Sequence, residues 1–206
     1  MLPIFLLQCG TNATSEAFDL GSIKGDIYTN DYFNCQIELP NNWIPQSKEQ
    51  TDRLANLGKE LIVGENEELK AVIKASEVNT VNLVTVFQYE IGSTVEFNPS
   101  MVIMAENLAT SPGIKNSGDY LFHARRFLQQ CQTAYEYLSD SFEEEIINGT
   151  VFHKMNANRS FMGLDIKQVY YSTTQRGFSF NVIISYVNDE QKNVLSESLH
   201  SLTFEG

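Results

Sequence analysis

The last forty-odd residues constrain the chain most. From Asp165 to Gly206 it reads DIKQVYYSTTQRGFSFNVIISYVNDEQKNVLSESLHSLTFEG. Phe178, Phe180, Val182, Ile184 and Tyr186 alternate with Ser179, Asn181 and Ser185, the period of two that puts one set of side chains on each face of a strand. Asp165 to Thr174 forms a strand before it, with Gln175-Arg176-Gly177 as the turn between the two. A polar break at Asn188-Asp189 then caps a closing helix whose Val194, Leu195, Leu199 and Leu202 share one face.

Further upstream, Tyr32 to Leu39 is a strand in which Phe33, Cys35, Ile37 and Leu39 point one way. Pro40 stops it, because proline brings no donor to a ladder, and Trp43 follows. Ser47 with Gln50 makes a capping box for a helix carrying Leu54, Leu57 and Leu61, with Gly58 as a weak point. Asn66 caps a second short helix striped by Leu69, Val72 and Ile73. Val81–Tyr89 and Met101–Leu108 are strands. A long helix starts near Ser117, with Tyr120, Leu121, Ala124, Phe127, Leu128, Cys131, Tyr135 and Leu138 as its apolar face. Strands over 143–147 and 151–159 flank Asn148-Gly149, a strong tight-turn pair. Strands joined by short turns pair antiparallel. The expected fold is therefore α+β: one antiparallel sheet covered by helices on both faces, an α/β/α sandwich. Residues 25–206 form this single domain, and residues 1–24 an apolar N-terminal peptide with a flexible tether.

At 206 residues, with 42% apolar and 19% charged side chains, the chain suits one globular domain. Folding at this size buries roughly 70% of the unfolded surface, enough for a core without metals or disulfides. The 14 basic and 26 acidic residues leave a net charge of −12. That charge disfavours phosphate backbones, so nucleic acid is excluded as a partner.

The N-terminal MLPIFLLQCG is apolar but far short of the roughly 20 residues that span a bilayer. It also lacks the basic start of a signal peptide. Leu6-Leu7-Gln8-Cys9-Gly10 resembles the end of a bacterial lipoprotein signal, in which Cys9 would be the lipidated residue; Gln8 departs from the small residue usual before it. Three readings stay open: a lipoprotein signal, an apolar peptide docked on the fold, and a frayed tail. Any membrane attachment runs through a lipid on Cys9.

Chemistry-bearing residues are dispersed. Cys35 and Cys131 read as buried thiols, with a disulfide between them as the alternative. His123, His153 and His200 are scattered, and none has a partner at metal-site spacing. Glu143-Glu144-Glu145, near Asp140, is the densest acidic run. Successive strand residues point to opposite faces, so a solvated strand start explains it better than calcium does. Glu65, Glu67 and Glu68 suit a helix N-terminus. No phosphate-loop or dinucleotide spacing occurs among the glycines. No catalytic residue, cofactor or metal site is expected, and the chain reads as a non-enzyme. Tyr28, Tyr32 and Tyr171 are the candidates for an exposed aromatic partner surface.

The element order, together with Phe33, Ile37, Leu39, Pro40 and Trp43 in an F-x-x-x-I-x-L-P-x-x-W arrangement, resembles the PsbP-like superfamily over Ile27 to Phe204. That superfamily includes the extrinsic P subunit of photosystem II, a Ran-binding nuclear import factor, bacterial lipoproteins and chaperone-like bacterial proteins. The resemblance implies a helix-covered antiparallel sheet and a binding or accessory role rather than one activity. The expectation is a non-enzymatic, envelope-associated protein, lipid-anchored and facing outward, whose partner is another protein. The alternative is a cytoplasmic adaptor or chaperone-like protein.

Overall fold

A computed structural model describes residues 19–63, 67, 70–71, 79–131 and 135–205. Cys9, the apolar N-terminal run, and the Asn66 cap and Leu69, Val72 and Ile73 stripe of the second expected helix lie outside the described residues, while residues 67, 70 and 71 are helical.

Two antiparallel sheets make up the body. The smaller has the order β1 (Ser22–Lys24), β2 (Ile27–Asn30), β3 (Cys35–Glu38), β12 (Thr203–Phe204). The larger runs β4 (Ile44–Pro45), β5 (Thr80–Phe87), β6 (Ser100–Asn107), β11 (Phe178–Tyr186), β10 (Leu164–Gln175), β9 (Thr150–Phe161), β7 (Tyr137–Leu138), while β8 (Glu143–Ile147) also pairs with β9. The helices among the described residues are α1 (Lys48–Val63), α2 (Ser117–Gln130) and α3 (Asp189–His200). The fold is α+β and antiparallel, as expected, but the expectation of one sheet is corrected. Tyr28 to Leu39 and the chain's end form a separate small sheet whose buried side chains join the core of the large one.

Turn chemistry sets the register of the large sheet. Asn148-Gly149, Met162-Gly163 and Arg176-Gly177 close the β8–β9, β9–β10 and β10–β11 hairpins, and both residues of each pair have positive φ. That is the backbone of a tight hairpin turn matching the right-handed twist of its strands, and glycine at the second position reaches it without a Cβ clash. With register fixed, Met101, Ile103 and Ala105 stand beside Ile184, Val182 and Phe180. Val169 and Tyr171 continue the rows across β10. This face packs against Phe33, Ile37 and Leu39 of the small sheet and against Leu195 and Leu199 of α3. Phe33 meets Phe178 and Phe180 edge-on, and Phe204 meets Phe180 with centroids 5.1 Å apart. Ser198 Oγ donates to Glu38 O at 2.6 Å, tying α3 to β3. On the opposite face, Leu121 and Leu128 of α2 form a smaller cluster with Met155.

The capping residues act as their types dictate. Ser47 and Gln50 exchange hydrogen bonds at 3.2 and 2.8 Å, a complete capping box for α1. Asn116 and Asn188 cap α2 and α3 by accepting from Asp119 N and Gln191 N. Two boundaries depart from expectation. Strand β3 starts only at Cys35, because Asn34 sits at φ 46° in a turn, although Phe33, Cys35, Ile37 and Leu39 are all buried as the alternation requires. Helix α2 ends at Gln130, and Tyr135 and Leu138 do not belong to it. Glu136 N and Ser139 N donate to Asn158 O and Asn156 O at 2.9 Å, so this segment satisfies the part of the β9 edge that β8 leaves open. Tyr135 and Leu138 still pack against the α2 cluster, from an extended segment.

Phe180 of the large sheet is fully buried and packs edge-on against Phe33 and Phe204 from the small sheet's side. Phe180→Ala is expected to lower unfolding stability by about 3–5 kcal/mol, through lost transfer energy and the cavity left behind. Urea denaturation is the check, with the midpoint falling and the slope unchanged.

Candidate functional site

The second face of the large sheet is polar at its centre. Asn82, Met104, Asn181 and Ser172 line up across β5, β6, β11 and β10, and Thr80, Glu106 and Ser179 form the next row. Ser172, Ser179 and Asn181 are buried, and burial demands partners. They find them in one another: Ser172 Oγ and Ser179 Oγ are 3.0 Å apart, Ser179 Oγ donates to Asn181 Oδ1 at 3.1 Å, and Asn181 Nδ2 donates to Ser179 O at 3.1 Å.

Above this strip lies a cleft of about 1080 Å³. Met104, Glu106, Asn181 and Ile183 form its floor, Tyr120, Ala124 and Phe127 of α2 one wall, and Asp52, Ala55 and Asn56 of α1 the facing rim. Tyr120 hydroxyl donates to Glu106 Oε2 at 2.9 Å. Burial raises the Glu106 carboxyl above the usual range, and the Tyr120 hydrogen bond partly offsets this. Burial also raises the Tyr120 phenol, as does the neighbouring Glu106, while Asn181 opposes the shift. Mostly apolar walls with a few converging polar groups on a rigid floor form a site for holding a molecule.

The sequence-nominated tyrosines do not form one surface. Tyr28 is 1% exposed, with its hydroxyl donating to Leu20 O at 2.9 Å and accepting from Asn30 Nδ2 at 3.1 Å. Tyr171 is 7% exposed, beside Val182 on the core face, where burial raises its phenol. Both point inward from their strands, which corrects the expectation of a three-tyrosine patch. Tyr32 is 36% exposed; its ring lies edge-on to Phe33 and Phe178, with the Arg176 guanidinium 5.9 Å from its centroid.

The histidines are separate in space as in sequence. His123 is exposed on the cleft's rim, its ring against Phe122. His153 lies 2.8 Å from Ser117 Oγ and 3.4 Å from Glu144 Oε1. His200 closes α3, 2.6 Å from Ser196 O and 3.0 Å from Glu145 Oε1. The acidic run divides between the two faces of β8. Glu143 and Glu145 engage Lys154 at 3.1 and 3.2 Å, Glu144 faces His153, and Asp140 pairs with Arg125. Burial works against the Lys154 charge, but the two carboxylates outweigh it and raise its pKa. Among the described residues no group of three or more His, Cys, Asp or Glu side chains is placed to hold a metal ion. Cys35 and Cys131 are free thiols, so the disulfide alternative is not formed; burial pushes them up to about 12 and about 11. Among the described residues no helix is long and apolar enough to cross a membrane.

Glu106, Tyr120 and Asn181 were not singled out by sequence reasoning. The available signal was polar residues on the second face of a strand that is interior to the sheet. A carboxyl whose pKa is raised by folding makes the native state bind the proton more tightly than the unfolded chain does. Its contribution is present below its ordinary value of 4.5 and is lost as pH rises through the raised value. Glu106→Gln, which keeps an acceptor for Tyr120, is therefore expected to be more stable than the parent at neutral pH. The difference should vanish on acidification below 4.5, as followed by thermal melts at a series of pH values.

No protein-family model and no curated protein matches the chain. Among solved structures, the chain is similar to the cyanobacterial PsbP protein CyanoP of Synechocystis sp. PCC 6803. The TM-score is 0.53 at 12% identity, covering 90% of this chain and 99% of that one. Weaker similarities reach a Pseudomonas aeruginosa protein of unknown function and putative regulator, PA94 (TM-score 0.40, 10% identity, 62% of this chain, 83% of that one). They also reach LpqN of Mycobacterium tuberculosis, involved in cell envelope biogenesis (TM-score 0.33, 9% identity, 61% of this chain, 78% of that one). CyanoP matches this chain almost from end to end, and on that likeness this chain has the PsbP-like fold.

Proposed function

We propose that this chain is a non-enzymatic binding or accessory protein of the bacterial cell envelope, held outward by a lipid on Cys9 and acting on another protein. The cleft carries the binding part of this reading. It is open and largely apolar, and its acid is engaged by a phenol at 2.9 Å rather than aimed at a nucleophile. The ionisable groups elsewhere support it too, since His153, His200 and the three consecutive glutamates are tied into local pairs. For location, the support is the Leu6-Leu7-Gln8-Cys9-Gly10 segment followed by a Thr- and Ser-rich tether. Two acyl chains on one cysteine anchor a protein firmly, where a single chain does so only marginally.

Tyr32 with Arg176 is the surface through which a protein partner is held. Tyrosine and arginine are the residue types that dominate binding energy at interfaces. This pair is braced by Phe33 and Phe178 behind it. With the Asn34 amide turned to donate to Asp31 O, its oxygen accepts from Arg176 Nη2 at 3.0 Å, which holds the guanidinium in place.

Expressed from its own reading frame in bacteria fed an alkyne-bearing palmitate, the protein is expected to carry the label and sediment with membranes. Cys9→Ser should lose both properties. An unlabelled parent protein in the cytosolic fraction would eliminate the envelope assignment and favour the cytoplasmic adaptor. A photocrosslinking amino acid at position 32 is expected to give one discrete adduct in cells, absent when the probe replaces the exposed Ser160. Identical patterns from both positions would remove Tyr32 from the partner surface.

A further inference from the structure

We infer that the cleft between α1 and α2 takes an amphipathic amine, with an apolar body over Met104, Ile183 and Phe127 and an ammonium donating to Glu106. The inference rests on the cleft being a holding site and names the class of molecule held. Its volume of about 1080 Å³ lies just above the roughly 300–1,000 Å³ usual for small-molecule sites. The apolar side chains lie along the floor and the α2 wall, so one side of the ligand is sheltered.

Charge decides the head group. Glu106 is the acid on the cleft floor, and the carboxylate lies among groups that are mostly uncharged. One oxygen, Oε2, accepts from Tyr120; the other has no hydrogen-bond partner among the described residues. An ammonium at that oxygen makes a charge-assisted hydrogen bond and restores the solvation the carboxylate lost on burial. A carboxylate or phosphate head at the same depth meets a like charge in a chain whose net charge is already −12. The basic groups near the opening do not reverse this. Arg126 and His123 line the cleft's mouth from α2, but both are exposed to solvent that screens them, and the Arg126 guanidinium sits 6.0 Å from the Phe122 ring. Asp52 on the facing rim adds a second negative charge along the entry, although Lys48 already pairs with it at 2.6 Å.

The test is isothermal titration of the full chain with decylamine, decanol and decanoate at neutral pH, below their aggregation concentrations. Decylamine is expected to saturate at one molecule per chain and to bind at least about tenfold more tightly than decanol, the equivalent of about 1.4 kcal/mol. Decanoate should bind more weakly than decanol. Glu106→Gln should erase the preference for the amine over decanol, while Ala124→Trp on the α2 wall should weaken all three. Unaltered circular dichroism and melting show that each variant is folded. Generic attraction of a cation to an acidic protein survives Glu106→Gln, so a preference that persists in that variant overturns the inference. Tightest binding by decanoate or decanol, still blocked by Ala124→Trp, would leave the holding site standing and reject the amine. Saturable binding of none of the three would reject both.

Discussion

The structure depends on the two-sidedness of one central strand. Phe178, Phe180, Val182, Ile184 and Tyr186 of β11 face the core, while Ser179, Asn181 and Ser185 face the other way, and Ser179, Asn181 and Ser185 are also buried. A strand covered on both faces ordinarily reads as continuous apolar sequence. Here the second face is covered yet polar, which is stable only because Ser172, Ser179 and Asn181 satisfy one another and Ser185 Oγ accepts from Gln168 Nε2 at 2.9 Å. The same polar strip forms part of the cleft floor. Core and site are thus opposite faces of one element.

Such an arrangement is sensitive to register. Sliding β11 by one residue would turn its phenylalanines toward α2 and its serines into the aromatic cluster around Phe33. The three tight turns guard against this. Asn148 is suited to positive φ, and it also donates to His200 O and Leu202 O at 2.7 and 2.9 Å, so the β8–β9 turn is bound to the end of α3. Arg176 adopts the same backbone and lies over Tyr32, joining the β10–β11 turn to the small sheet. Met162 is the exception. It holds positive φ at 87% exposure, and among the described residues no contact explains the choice of residue.

What could be read from the sequence was what short-range periodicity and cap chemistry determine. The alternation of β11, the inward set Phe33, Cys35, Ile37 and Leu39, the Ser47–Gln50 box, the Asn148-Gly149 turn and the Asn188 cap all have local causes, and all are found. What could not be read was set by partners distant in sequence. Tyr135 and Leu138 continue the helical spacing of α2, but the unfilled edge of β9 draws that segment into extended pairing. Tyr28 and Tyr171 resemble interface residues by type, yet their strands turn them into the core. The separation of the small sheet could not be read because β1, β2 and β12 have only two to four residues each, too few for a periodic signal, and β12 meets β3 only after the chain has closed. Glu106 was hidden for a related reason. Its significance comes from Tyr120 on a helix 14 positions away.

The contrast between Glu106 and the acidic run shows why local charge density is a poor guide to function here. Glu143, Glu144 and Glu145 are adjacent in sequence, but a strand sends them to alternating faces, where Lys154, His153 and His200 each engage a neighbouring carboxylate. The pairs made by the exposed Glu143 and Glu144 contribute at most about 1 kcal/mol and are weakened by salt, while the Lys154–Glu145 pair is largely shielded from solvent and screened less. Glu106 stands alone among strand residues of the sequence SMVIMAEN, in a place where desolvation opposes its charge and a single phenol supports it. Keeping an isolated carboxyl there works against the native state at neutral pH, a burden the neighbouring buried serines and asparagine do not impose because their hydrogen bonds are complete. A group that opposes folding at the floor of an open cleft is accounted for most directly by what it binds.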